Sequence, residues 1–389
     1  MHISIKKIVE HFRRVTNSGA FVPEIDGLRF VAIASVIAFH LYGQLVRYYG
    51  VHLSSVPTTL LHNGDRGVRL FFVISGFVLA RPFAAHWLQA SAAVDLKRYF
   101  GRRLTRLEPP YILNLVTCAA LMIALNHVAL AALVPHLLAS LLYLHNAVYG
   151  MMSTINPVAW SLEIEVQFYL LMPLLALVFA IRSVWIRRCA LLLAMLLIEL
   201  IQIRWFHTAR SHGTVAYYLQ FFLAGLFLAD LHLLRKSNGK SWWWDAISLA
   251  GWPLVFALAD PVSQLVLPFL VLALYWAAFH GPITNRLVSL PPVTIIGGMC
   301  YTIYLFHFLL IAFATRILGH ARSPLVVTFV SLALIATVCP LYFLLIERPC
   351  MDRDWPRKLL VFFRGSRKEA PAPAYGVLEP EAPQRAIVS

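Results

Sequence analysis

The sequence predicts an all-α integral membrane protein: a bundle of about ten transmembrane helices, one short interfacial or re-entrant helix, and both termini in the cytoplasm. Three observations carry this prediction. Hydrophobic residues make up 60% of the 389 and charged residues only 13%, whereas a soluble domain is about 45–50% apolar and about 25% charged. Apolar runs recur along nearly the whole chain, many of them near the roughly 20 residues a helix needs to cross a bilayer. Lysine and arginine concentrate in alternate short segments between those runs, the pattern of the positive-inside rule. Together these exclude a water-soluble enzyme, a disordered chain, a coiled coil and a disulfide-stapled module.

In chain order, residues 1–23 form an N-terminal segment with Lys6, Lys7, Arg13 and Arg14, expected in the cytoplasm. The membrane domain is expected over 24–350. Its spans fall near 28–48, 68–88, 110–134, 159–181, 188–206, 215–234, 243–259, 262–280, 295–318 and 324–346. The first run has no small-residue cleavage site and is expected to remain as a span. A further run, 136–150, is short and carries His136, His145 and Asn146, so it is expected to lie at the interface or re-enter. The inner segments then hold Lys97, Arg98, Arg102, Arg103 and Arg106, then Arg182, Arg187 and Arg188, then Arg235, Lys236 and Lys240, then Arg286. The outer ones hold only Arg47, Arg66, Arg204, Arg210 and Arg322. A crossing by the short run would put Arg182, Arg187 and Arg188 outside and spoil this asymmetry. Residues 351–389 read as a basic and then disordered cytoplasmic tail, because a Pro-, Ala- and Glu-rich stretch cannot bury a core.

The net charge of +15, from 33 basic against 18 acidic residues, is therefore a topology signal in the first place. It also favours anionic lipid or a phosphorylated ligand, and not nucleic acid. Cys118, Cys189, Cys300, Cys339 and Cys350 show no CxxC spacing, so small buried hydrophobes are expected and no metal site. Walker A, HExxH and GxGxxG patterns are lacking, which leaves an ATP-driven pump, a zincin or a Rossmann dehydrogenase without support.

Ionisable groups inside a span are costly unless they face the bundle interior, about 2.5–3.5 kcal/mol on insertion scales, and so they mark candidate sites. The first span opens Asp26-Gly27-Leu28-Arg29, and Asp26 and Arg29 are spaced to pair on one helix face. His40 follows eleven residues after Arg29, about 16 Å further along a helix and near mid-bilayer. In the second span, Ser75 and Gly76 suit a close helix approach; a nucleophilic Ser75 lacks the G-x-S-x-G elbow. Arg103 and Arg106, three apart before Pro109, offer a fork suited to phosphate, although plain anchoring explains a basic loop equally well. Glu163 and Glu165 stand in the first turns of the fourth span, where the helix dipole eases their burial, and from there they are expected to approach His40. Tyr304 and a second mid-membrane histidine, His307, follow in the ninth span, and Glu347-Arg348-Pro349 closes the last.

In sequence order, Asp26-Gly27-Leu28-Arg29 with His40, Phe71-Phe72-Val73-Ile74-Ser75-Gly76-Phe77, Arg103-x-x-Arg106 with Pro109, Trp160-Ser161-Leu162 with Glu165 and Gln167-Phe168-Tyr169, Tyr301-Thr302-Ile303-Tyr304-Leu305-Phe306-His307 and Glu347-Arg348-Pro349 resemble the motifs of acyltransferase family 3. These integral-membrane O-acyltransferases modify surface polysaccharides, lipopolysaccharide and macrolides. The resemblance covers 24–349. It implies an acyl-CoA donor, usually acetyl-CoA, as co-substrate with no permanently bound cofactor, and a glycan, glycolipid or glycoside hydroxyl as acceptor. It further implies catalysis by His40 and donor handling by Arg29, Arg103 and Arg106. Two departures stand out: Val166 follows Glu165 where a second Glu is frequent, and Glu163 replaces a common serine, so the division of carboxylate duty stays open. The soluble esterase-like domain fused to some members is not expected, which would leave the transfer to the membrane domain.

The expected activity is thus acyl transfer from cytoplasmic acyl-CoA in the inner (plasma) membrane, with neutral His40 as general base or, as a variant, as an acyl carrier. Glu165 is the expected catalytic carboxylate, and a carboxylate near the imidazole is expected to hold its tautomer. The rival is a transporter or exporter of an acylated saccharide, since intramembrane histidines and charges also mark transport paths. The topology has a direct check. Reporters fused after Ser389 or inserted in the 89–109 loop are expected to be cytoplasmic, and one near His145 external. Cytoplasmic labelling of 135–158 would reverse the placement of the fourth span.

Overall fold

A computed structural model describes residues 12, 14, 21–205, 213–235, 239–258, 262–319, 323–352, 355 and 358. The chain divides into two units, Met1–Arg353 and Asp354–Ser389. Of the second only residues 355 and 358 are described, both helical. The expected cytoplasmic segment 1–23 and tail 351–389 lie almost wholly outside the described residues. So do Lys6, Lys7, Arg13, Lys236, Arg210 and Arg322, which entered the charge pattern.

The first unit is helical, with no strand among the described residues. Its helices are α1 (Pro23–Tyr49), α2 (Ser55–His62), α3 (Gly67–Gln89), α4 (Leu96–Asn126), α5 (Leu130–Leu141), α6 (His145–Tyr149), α7 (Trp160–Leu175) and α8 (Val184–Trp205). They continue as α9 (Val215–Leu234), α10 (Trp242–Ala257), α11 (Val262–His280), α12 (Pro282–Val288), α13 (Pro291–Gly298), α14 (Cys300–Leu318) and α15 (Pro324–Tyr342). A helix occupies each of the ten expected positions. By length and composition seven helical segments are long and apolar enough to cross, or eight if the bent pair Leu265–His280 and Pro282–Val288, at 91°, counts as one. α8 falls short because it carries Arg187, Arg188, Glu199 and Arg204, and α10 because it has 16 residues. The outer surface is what lipid requires: Leu249, Leu325 and Phe329 are 81%, 79% and 72% exposed, an apolar surface no soluble monomer carries.

Three boundaries differ from the sequence reading, each for a local reason. The run expected at 110–134 is a helix that starts at Leu96, because Asp95 caps it by accepting from the Arg98 amide at 3.2 Å. That start carries the basic residues onto α4 itself. It ends at His127, whose left-handed φ of 54° closes the helix, and the rest of the run begins α5. The short run 136–150 is likewise divided between α5 and α6, with Tyr143 left-handed between them. The ninth expected span, 295–318, breaks at Met299 into α13 and α14.

Two close approaches fix the helices that bear the polar residues. α3 packs most extensively against α9. A Cβ at Gly76 would meet the Phe222 carbonyl oxygen at 2.3 Å, and one at Gly225 would meet the Val73 carbonyl oxygen at 2.3 Å. Gly76 is thus the small residue the sequence reading expected, while Ser75 is engaged elsewhere. At the start of α1, a Cβ on Gly297 would lie 1.7 Å from the Asp26 carbonyl oxygen, so α13 is pressed onto the Asp26-Gly27 turn. Of the cysteines, Cys118, Cys339 and Cys350 are buried as expected, but Cys189 is exposed and Cys300 lines an interior pocket. Gly225→Ala is expected to lower the unfolding temperature of the detergent-solubilised protein, a loss on the order of 1–3 kcal/mol, because neither backbone can yield to the added methyl. Unchanged thermal unfolding would mean the α3–α9 contact is looser than its geometry.

Candidate active site

The site begins at the N-terminus of α1. Asp26 is buried and forms an ion pair with Arg29 one turn later, as its spacing suggested, and the guanidinium of Arg14 lies 3.6 Å from the same carboxylate oxygen. Arg29 is therefore held from behind by a carboxylate. It lines a pocket of about 110 Å³ together with Arg14, Arg103, Arg106, Ser75 and Glu165. Arg103 and Arg106 come from α4 and share a face, as expected, and the Arg103 guanidinium lies 5.7 Å from the Tyr99 ring centroid and 5.9 Å from that of Tyr169. The Nε atoms of Arg14, Arg103 and Arg106 are buried and have no hydrogen-bond partner among the described residues. Three such donors around one pocket are suited to an anion with several acceptor oxygens.

Glu165 belongs to this pocket. Its Oε1 accepts from the Ser75 hydroxyl at 2.6 Å, which corrects the expectation that it approaches His40. Glu163, two residues earlier on α7, points the other way: its Oε2 accepts from the Asn146 backbone amide at 2.8 Å and so anchors α6. The helical period separates the two carboxylates by about 200° around α7, so they cannot serve one centre.

His40 lines a second cavity of about 360 Å³ with Asp65, Arg69, Asn146, Trp160 and Tyr304 among its walls. Its partner is another imidazole. His40 Nδ1 lies 3.0 Å from the Val36 carbonyl oxygen and 3.1 Å from Nε2 of His307. His307 Nδ1 lies 2.8 Å from the Tyr304 carbonyl oxygen and 3.1 Å from that of Ile303. Carbonyl oxygens only accept, so each Nδ1 carries the proton in the neutral rings. The His307 Nε2 lone pair then faces the His40 N–H, and His40 Nε2 is left as the basic nitrogen. The role the sequence reading gave to a carboxylate, fixing the tautomer of His40, falls to His307.

The two cavities adjoin. Val68 and Tyr304 line both, and Tyr304 is fixed in that wall by donating to the Val158 carbonyl at 2.9 Å while its oxygen lies 2.7 Å from Ser161 Oγ. α14, which bears Tyr304 and His307, is itself tied at both levels. Glu347 Oε2 accepts from the amide and the hydroxyl of Thr302, at 3.1 and 2.5 Å, and caps the helix start. Asn114 and Asn156 both donate to the Leu305 carbonyl at 3.1 Å and bond each other at 2.8 Å. The closing Glu347-Arg348-Pro349 motif thus orients the catalytic candidates from a distance, aided by the π-type turn at Phe343–Glu347 that carries Glu347.

Several residues escaped the sequence reading. Asp65 and Arg69 are charged groups in the His40 cavity, and Tyr218 forms an aromatic wall there with Trp160 of the quoted fourth-span motif, their ring centroids 5.6 Å apart. Arg69 stands two residues before the Phe71–Phe77 motif, within the expected span 68–88, and its charge inside a span was the available signal. Arg187 and Arg188, read as inner anchors, both bond Asp230, at 2.5 and 2.7 Å, in a buried cluster. Among the described residues no group of three His, Cys, Asp or Glu is arranged to hold a metal ion.

These helices and cavities define a multi-helix membrane protein whose polar groups converge on one interior site. The chain belongs to the acyltransferase 3 family: the model of that acyltransferase domain matches residues 22–345. It is similar to the O-acetyltransferase OatA of Staphylococcus aureus, 26% identical over 370 residues, covering 87% of this chain and 58% of the relative. It is likewise similar to the peptidoglycan O-acetyltransferase OatA of Listeria monocytogenes, 26% identical over 377 residues, covering 87% of this chain and 57% of the relative. The chain thus spans under two thirds of the length of these relatives. No solved structure matches it. Within the site, Glu163→Ala is expected to lower thermal stability by about 1–3 kcal/mol, because it strands the buried Asn146 amide. Glu163→Gln retains an acceptor oxygen and is expected to lose less; equal losses would mean that the charge, not the hydrogen bond, holds α6.

Proposed function

We propose that the protein is an acyl-CoA-dependent O-acyltransferase of the inner membrane that moves an acyl group, most simply acetyl, to a hydroxyl of a cell-envelope glycan. One observation carries the reading: an arginine-lined pocket and a histidine-lined cavity lie back to back and share Val68 and Tyr304 as a common wall. Family membership and the names of the relatives support acyl transfer over transport and a glycan as acceptor. In this reading ten spans place both chain ends in the cytoplasm, so that α4 begins at the inner face where acyl-CoA is available.

The coenzyme phosphates dock on Arg103 and Arg106, and the pantetheine arm runs inward past Arg29 to bring the thioester to the Tyr304 wall. The acceptor hydroxyl comes from the opposite side into the His40 cavity. His40 Nε2 takes the hydroxyl proton as the oxygen attacks the thioester carbonyl; the C–S bond breaks, and the imidazolium returns the proton to the departing thiolate. His307 keeps His40 in the required tautomer by accepting its Nδ1–H, as an orienting group does in a catalytic triad. Glu165 acts from the donor side, holding the Ser75 hydroxyl and offsetting the arginines.

Release of CoA thiol by the purified protein, measured with a glycan acceptor, tests this assignment. His40→Gln cannot exchange a proton at neutral pH, so its rate is expected to fall about 10²–10⁴-fold while CoA binding, read separately, stays intact. His307→Ala is expected to lose less, since the Val36 carbonyl still holds Nδ1. A His40→Gln enzyme that transfers at near wild-type rate places the base elsewhere.

A further inference from the structure

A third cavity, of about 350 Å³, continues the arginine pocket outward. It shares Arg14, Val78, Arg103 and Arg106 with that pocket, and adds Arg81 and Arg102 as arginines that line it alone. Five guanidinium groups therefore surround this vestibule against one lining carboxylate, Asp352. Arg81 comes from α3, one helical turn beyond Val78; its guanidinium lies 5.8 Å from the Phe77 ring centroid and makes no hydrogen bond or ion pair among the described residues. Arg102 uses Nε on the Arg98 carbonyl at 3.2 Å, and its two terminal amino groups have no partner among the described residues. Two guanidinium groups with terminal nitrogens free of hydrogen bonds among the described residues thus come from different helices to line a cavity that the Arg103–Arg106 pair also lines.

Like charges gathered this closely repel one another, and a pyrophosphate diester brings only about two negative charges to offset them. A phosphomonoester adds about 1.5–2 more at neutral pH and presents three acceptor oxygens. We propose that Arg81 and Arg102 form a phosphomonoester subsite, separate from Arg103 and Arg106, that takes the 3′-phosphate of the coenzyme. This rests on the acyl-CoA reading above and adds to it a division of labour. The inner arginines, shared by both cavities, hold the pyrophosphate at the head of the pantetheine arm. The outer two read the ribose phosphate and thereby distinguish CoA from dephospho-CoA. The same chemistry suits an anionic lipid headgroup, and the choice of ligands separates the two sources.

Calorimetric titration of the full-length protein in neutral detergent with CoA and with dephospho-CoA, at one ionic strength, tests the proposal. Wild type is expected to bind dephospho-CoA at least about tenfold more weakly than CoA. Arg81→Ala and Arg102→Ala are each expected to weaken CoA binding by about ten- to a hundredfold and to leave dephospho-CoA within about twofold. Arg81→Lys is expected to recover part of the CoA affinity, since it restores charge but not the fork. Arg103→Ala is expected to weaken both ligands. Equal wild-type affinity for the two ligands, or an Arg81→Ala penalty that is the same for both, overturns the subsite and assigns these arginines to lipid or to topology. If neither ligand binds the wild type, the acyl-CoA reading itself fails.

Discussion

Inside a bilayer a polar group with no partner stays costly, because no water reaches it to compensate. That constraint shapes how the polar residues of this protein are placed. Arg187 and Arg188 close on Asp230, Asn114 and Asn156 close on the Leu305 carbonyl, Arg66 closes on the carbonyls of Val255 and Leu258, and Glu347 closes on Thr302. Each of these knits two or more helices at a fixed register. Other buried atoms stay open, Arg187 Nη2 and Glu347 Oε1 among them, but three open Nε atoms, those of Arg14, Arg103 and Arg106, gather around the arginine pocket, and His40 keeps a basic Nε2 in the cavity next to it. The arginine pocket is where open donors from separate segments of the chain converge.

Much of this was legible in the sequence because it follows from short-range rules. Hydropathy located helices at all ten expected positions, and i, i+3 spacing placed Asp26 with Arg29 and Arg103 with Arg106. Gly76 stood out as a small residue in an apolar run. Long-range placement was not legible. Nothing within the local sequence says that α14 returns to α1 so that His307 meets His40, or that Glu165 meets Ser75 ninety residues away. The carboxylate pair misled for a related reason. Two residues apart looks close along the chain, but on a helix it means opposite faces: Glu165 lines the arginine pocket, while Glu163 is buried against the Asn146 amide. Breaks at His127, Tyr143 and Met299 were hidden because an apolar run continues through each of them, and hydropathy records no backbone dihedral.

Asp230 and Glu199 mark the other limit. Each sits in a long apolar run as a single acid, and its buried position on α9 or α8 emerges only once those two helices pack. For Asp230 the result is an ion cluster that fixes the α8–α9 contact. Its removal would leave two arginines facing each other without an anion, a larger penalty than the intact cluster is worth in net stability.

The wall of Val68 and Tyr304 has a consequence for how such a protein diversifies. The arginine pocket and the His40 cavity are separate compartments that touch along this single seam. Under the proposed function, a change of acceptor calls for substitutions in the His40 compartment alone, and a change of donor for substitutions in the arginine compartment alone. Tyr304 and its anchors belong to both, so a substitution there reaches the two at once.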